Sequence, residues 1–153
     1  MSLKDRISDE IKTAMKAKDK LRLETVRGIK KVILEKESEI RAKGREDLNE
    51  EEELAVLTHL AKQRRDSITQ YTDAGRPELA DKEAQELTIL EEYLPAQLSD
   101  AEVEAVVDEV IAQVGASSPR DMGKVMGPAM KRLQGQADGG KVQSIVKAKL
   151  VNS

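Results

Sequence analysis

Three observations predict an all-α fold, with a long-helix N-terminal region followed by a small three-helix bundle. Apolar residues recur at intervals of three and four along nearly the whole chain, which is the period of a half-buried helix. Charged residues make up 36% of the 153, and aromatics 1%, only Tyr71 and Tyr93. The interior must therefore be assembled from Leu, Ile, Val, Ala and Met on amphipathic helices, as it is in bundles. Helix starts and stops are also written repeatedly in cap residues, glycines and prolines.

The first helix is predicted from about Leu3 to Lys18, with Leu3, Ile7, Ile11, Ala14 and Met15 on a narrow apolar face. A second, from about Asp19 to Lys43, uses Val26, Ile29, Ile33 and Ile40 as a packing seam, and Gly44 supplies a C-cap. Asn49 opens the third with Glu52 three residues on, a capping-box pattern, and Glu50–Glu53 set negative charge where the helix dipole favours it. Its seam reads Leu54, Leu57, Ala61, Arg64, Ile68, Tyr71. Arg64 interrupts that apolar register, so its guanidinium needs an acid, and Glu83 or Glu86 on the next helix is the expected partner. Ala74-Gly75-Arg76-Pro77 ends the third helix and opens the fourth, which Leu79, Leu87, Ile89 and Leu90 carry forward.

Pro95 stops the fourth helix, because proline lacks a backbone N–H and disfavours a helical residue before it. Ser99-Asp100-Ala101-Glu102 has the capping-box form and starts the next. Between them lie Tyr93, Leu94 and Leu98, more apolar than a linker requires. The expected organisation is an N-terminal long-helix domain over residues 1–95 and a three-helix tail over 96–153. Tyr93, Leu94, Pro95 and Leu98 form a structural hinge with a small core of its own. Val103, Val106, Val107, Val110, Ile111 and Val114 mark the first tail helix, ending at Gly115. Ser118-Pro119 launches a second through Met122, Val125, Met126, Ala129, Met130 and Leu133, and Asp138 caps a third bearing Val142, Ile145, Val146 and Leu150.

Charge is distributed unevenly. Residues 1–48 carry 14 Lys/Arg against 10 Asp/Glu, residues 49–95 carry 5 against 12, and residues 96–153 carry 7 of each. The first two stretches are expected to lie against each other as antiparallel helices. A net charge of −3 is not that of a protein bound to nucleic acid by bulk charge alone. With no cysteine there is no disulfide framework or thiolate metal site, and a single histidine argues against zinc; no metal or cofactor is expected. No uninterrupted apolar run approaches membrane-spanning length, and Met1–Arg6 holds the acidic Asp5 and no apolar leader core. The expectation is a soluble cytoplasmic protein without a membrane partner.

Candidate chemistry is sparse. Ser117 and Ser118 with Lys124 have the residue types of a serine–lysine amidase centre but not its extended Gly/Ser-rich setting, and capping before Pro119 explains Ser118. Gly123-Lys124 is not a P-loop: Ser118 stands where the first glycine is required and Val125 where a hydroxyl residue is required. His59 falls off the apolar seam without a second ligand at helical spacing, and Glu50–Glu53 reads as a solvated helix start. No catalytic residue is assigned.

Glu92-Tyr93-Leu94-Pro95-Ala96-Gln97-Leu98, Gly115-Ala116-Ser117, Asp121-Met122-Gly123-Lys124-Val125-Met126 and Gly135-Gln136-Ala137-Asp138-Gly139 together resemble the YqeY family, which contains the GatB/YqeY domain. Lys62-Gln63-Arg64-Arg65-Asp66-Ser67 and Ala74-Gly75-Arg76 extend the resemblance over nearly the whole chain. The resemblance implies a likeness to the C-terminal appendage of the B subunit of glutamine-dependent tRNA amidotransferase. That appendage helps hold tRNA, while the catalytic cradle lies in another part of the protein. It implies a tRNA-associated accessory or binding module, non-catalytic itself, with tRNA and a protein of the translation or aminoacyl-tRNA machinery as partners. Two alternatives stay open: a carbon–nitrogen ligase with glutamine as amido-N-donor acting on aminoacyl-tRNA, and a helical protein-interaction scaffold.

Two basic surfaces suit an RNA reading. On the second helix Lys20, Arg27, Lys30, Lys31 and Arg41 recur at helical spacing on one side. In the tail Lys124, Lys131 and Arg132 lie on one helix and Lys141, Lys147 and Lys149 on the next. With almost no aromatics to stack on bases, recognition would be of folded RNA shape and backbone, salt-sensitive and weak. The hinge carries its own expectation: Pro95→Gly should broaden the small-angle scattering profile, whereas an unchanged profile would show that Pro95 does not set the arrangement.

Overall fold

A computed structural model describes residues 1–151, and every regular element among them is helical. The α-helices are α1 (Leu3–Ala17), α2 (Lys20–Arg41), α3 (Glu50–Asp73), α4 (Pro77–Glu91), α5 (Asp100–Val114), α6 (Met122–Arg132) and α7 (Gly139–Val151), with a 3-10 turn at Pro119–Asp121. None of the described helices is long and apolar enough to cross a membrane. The chain divides into two compact units, Met1–Leu94 and Pro95–Ser153.

In the first unit local chemistry sets the helix ends. Ser2 and Asp5 form a reciprocal capping box at α1, and Asn49 and Glu52 form another at α3. Glu53 turns inward and accepts the Leu3 N–H at 2.7 Å, while Glu52 pairs with Arg45. The glutamate run is therefore more than a solvated helix start. Leu3, Ile7, Val26, Ile29, Ile33, Leu57, Ile89 and Leu90 form the core together with Val56 and Leu60. The last two lie outside the seam expected for α3, because that helix packs on both α2 and α4, which widens its buried face. Leu54, Ile68 and Tyr71 are only half-buried.

Two ion pairs penetrate this unit. Glu37 is 2% exposed on the core face of α2 and receives Lys4 Nζ at 3.0 and 3.3 Å. Arg64 meets both acids expected for it, Glu86 at 2.9 Å and Glu83 at 3.5 Å. Its N–H is not aligned for a directed hydrogen bond, so the attraction is Coulombic. The basic and acidic stretches are joined by Arg22, which bridges Glu10 and Glu92, and by Arg45–Glu52. Most of the helix packing is nevertheless within the α1–α2 and α3–α4 hairpins.

The second unit is a three-helix bundle around Val103, Val107 and Val110 of α5, Val125 and Ala129 of α6, Leu133, and Val142, Val146 and Leu150 of α7. Gly115 caps α5 at φ +67°, a left-handed conformation that glycine takes without a Cβ penalty. Ser118 makes no side-chain cap bond, contrary to expectation; Asp121 instead accepts the Ser117 N–H at 2.9 Å. α6 runs through Pro128, which removes one hydrogen bond from the helix interior.

The apolar residues around Pro95 do not make a core of their own. Tyr93 and Leu94 pack on the first core and Leu98 on the second. Leu98 N donates to Gln136 O at 2.9 Å, and Gln97 Nε2 donates to Gly135 O at 2.6 Å.

The two partners of Arg64 should behave oppositely on substitution. Glu86→Gln removes its nearer charge and should lower stability by about 1–2 kcal/mol in thermal unfolding. Burial, then repulsion by Glu86, raises the Glu83 carboxyl above its ordinary range. Such a group favours the folded state below its unfolded-state value and loses that contribution as pH rises through the folded-state one. Glu83→Gln should therefore hold or raise the melting midpoint at pH 7 and leave it unchanged in acid. An equal loss from both substitutions at pH 7 would show that they share the arginine evenly.

Candidate nucleic-acid interface

The tail cations proposed from the sequence meet a row of carboxylates. α5 places Asp100, Glu104 and Asp108 four residues apart on one flank, with Glu109 on another. Lys141 lies 2.6 Å from Asp100, Arg132 2.6 Å from Glu109, and Lys149 3.3 Å from Asp108. These pairs tie α6 and α7 to α5 and largely neutralise the surface. Lys131 and Lys147 are exposed and make no ion pair among the described residues. Acids at 100, 104 and 108 were the sequence signal for this neutralisation, but spacing alone does not show which flank faces which helix.

Lys124 is 3.7 Å from Asp121, whose carboxyl is held below its usual range first by the Ser117 N–H and then by Lys124. The Ser117 backbone is thus drawn to the carboxylate that pairs with Lys124, and this cluster has the geometry of a loop clamp. Among the described residues no group of three or more His, Asp or Glu is placed to hold a metal ion. His59 borders a groove of about 610 Å³ between α2 and α3, floored by Val32, Ile40, Val56 and Leu60.

The face of α2 is different. Lys20, Arg27, Lys31 and Arg41 are exposed and Lys30 half-buried, and none of them forms an ion pair among the described residues. Arg27, Lys30 and Lys31 border a shallow depression of about 420 Å³ with Leu34, Glu35 and Ser38. Arg27 Nη2 lies 3.9 Å from Met15 Sδ of α1, so its guanidinium is positioned without being neutralised. Exposed cations on a helix that are not held in ion pairs can exchange their counterions for phosphates.

Tyr93 serves the fold. Arg6 stacks 5.1 Å from its ring centroid, and burial pushes its phenol up to about 12, so it stays neutral at physiological pH. Arg22 holds the neighbouring Glu92 at 2.8 Å.

Fold and surface together define a two-unit helical protein with a neutralised bundle and an open basic helix face. The chain belongs to the YqeY family, the pattern of Yqey-like proteins matching residues 4–150. It is similar to altered inheritance of mitochondria protein 41, mitochondrial, of Kluyveromyces lactis, at 37% identity over 115 residues, 74% of this chain and 60% of that protein. The protein of the same name from Lachancea thermotolerans is 36% identical over 116 residues, with the same coverage, 74% and 60%. The chain thus spans 60% of the length of these relatives. A shorter similarity, 42% over 57 residues, joins 35% of this chain to 9% of the E subunit of glutamyl-tRNA(Gln) amidotransferase of Thermococcus gammatolerans.

If the α5 acids mask the tail, amidating them should expose it. A variant with Asp100→Asn, Glu104→Gln, Asp108→Asn and Glu109→Gln should elute from heparin at clearly higher salt than the parent chain. Elution at the same salt would show that the freed cations do not form a polyanion surface.

Proposed function

We propose that the protein is a tRNA-associated accessory or binding module, not itself catalytic, that meets folded RNA through the outer face of α2. The observation that carries this reading is the contrast between the tail cations, mostly engaged with carboxylates, and Arg27, Lys30 and Lys31, which are not. The short similarity to one component of a tRNA amidotransferase supports tRNA as the class of RNA. Only two tyrosines are present, so stacking on unpaired bases contributes little and backbone contact dominates. On the same reading the protein partner belongs to the aminoacyl-tRNA machinery. The compartment is the cytoplasm, and fractionation decides between it and the mitochondrion in which the fungal relatives are named.

Filter binding at low salt, with heparin as competitor, tests the reading. The chain should prefer tRNA to heparin, and its affinity should fall with salt along a log–log slope of about −2 to −3 for three phosphate contacts. Arg27→Glu with Lys31→Glu should weaken binding at least about tenfold and flatten the slope by about 2. No preference for tRNA over heparin would end specific recognition. Amidated product from glutamine, ATP and misacylated tRNA would replace this reading with the carbon–nitrogen ligase one.

A further inference from the structure

The α1–α2 turn departs twice from what its backbone favours. Five described residues have positive φ: Gly44, Gly75, Gly115, Gly135 and Lys18. Lys18 caps α1 at φ +57° and ψ +32°, a left-handed position where every other occupant in the described chain is glycine. Two residues later Lys20 takes the first position of α2, where the positive end of the helix dipole favours an acid. α1, α3, α4 and α5 each carry an acid in their first turn and α2, α6 and α7 carry none, but among the described helices α2 alone begins on a basic residue.

Neither lysine is held in an ion pair among the described residues. Asp19 lies between them, but its carboxylate accepts the Arg22 N–H at 3.1 Å and sits 3.7 Å from Arg22 Nε. Lys12, Lys16, Lys18 and Lys20 are exposed and form no ion pair among the described residues. From residue 12 to residue 31 the chain has eight Lys/Arg against Asp19 and Glu24. The Met15–Arg27 contact joins the last turn of α1 to the basic face of α2, so the two charged surfaces are continuous. Attraction to the negative end of the α1 dipole accounts for Lys16. It accounts neither for a lysine in the left-handed region nor for one at the wrong end of α2. Local rules broken together at one exposed turn are the pattern of a functional position.

We propose that this turn anchors the RNA surface, with Lys16, Lys18 and Lys20 holding phosphodiester groups of a folded RNA backbone and Arg27 and Lys31 continuing the track along α2. From Lys20 to Lys31 the helix rises about 16 Å, enough for several phosphates of one strand. A lipid surface fits less well, since the exposed large apolar side chains here are Met15 and Leu34 alone, without the apolar stripe of an interfacial helix. The inference rests on the RNA-binding reading and adds to it residues that a glycine and an acid would replace without harm to the fold.

Lys18→Gly and Lys20→Glu, each made in the full chain, test it. Each relieves a local conflict, so both variants should fold, and Lys18→Gly should melt about 2–6 °C higher than the parent. Both should bind tRNA at least about threefold more weakly at low salt, with a log–log slope shallower by about 1 for Lys18→Gly. A residue of purely structural role would shift melting and leave affinity unchanged. If both variants bind as the parent does while Arg27→Glu with Lys31→Glu does not, the turn is no anchor and the α2 reading stands. If the parent shows no preference for tRNA, both fall. Preferential binding to vesicles rich in phosphatidylserine, lost on Lys18→Gly, would overturn RNA in favour of a membrane.

Discussion

With no Phe or Trp, no single side chain in this protein can dominate a core, and the architecture follows from that constraint. Each buried aliphatic contributes about 1.5–3 kcal/mol at most, so a stable interior needs many of them in register. The first unit meets this requirement with length, since α2 and α3 have 22 and 24 residues. The second, with helices of 15, 11 and 13 residues, uses small branched residues packed closely, six of its nine buried core side chains being valine. Charged side chains then cover narrow helices from the edges, and their alkyl stems extend the apolar seam beyond its strictly apolar residues.

The same constraint gives electrostatics a positional role. Lys4 and Arg64 add ion pairs inside the well-packed α1–α2 and α3–α4 hairpins, Arg22 ties α2 to Glu10 and Glu92, and the α5 acids link α6 and α7 to α5. Exposed pairs of this kind add little stability individually, but they settle which helix faces stay charged. Asp100, Asp108 and Glu109 engage tail cations, whereas the α2 cations Arg27, Lys30 and Lys31 form no ion pair among the described residues.

Much of the fold was legible because it is local. Asn49 and Glu52, or Ser99 and Glu102, sit within one turn, so residue type and spacing suffice to place a helix start. Arg64 was legible for another reason: a cation in an apolar seam has few ways to be satisfied, and the acids within reach on the next helix were two. The burial of Glu37, Val56 and Leu60 depends on which helices flank α2 and α3, which periodicity does not encode. The helix across Pro128 was legible from its apolar period, Met122 to Leu133, in spite of the proline. Of the candidate surface, the α2 cations could be read off a helical wheel. The masking of the tail and the strained Lys18 could not, since one is a three-dimensional pairing and the other a backbone angle.

The sharing of residues around Pro95 bears on how such a chain can be reused. Tyr93 and Glu92 are bound on one side, Gln97 and Leu98 on the other, each by groups of its own unit. A break in the gene between Leu94 and Pro95 would thus pass between two sets of interactions. Either half could be joined to a different sequence carrying its own core with it, so the boundary is a natural point for recombination.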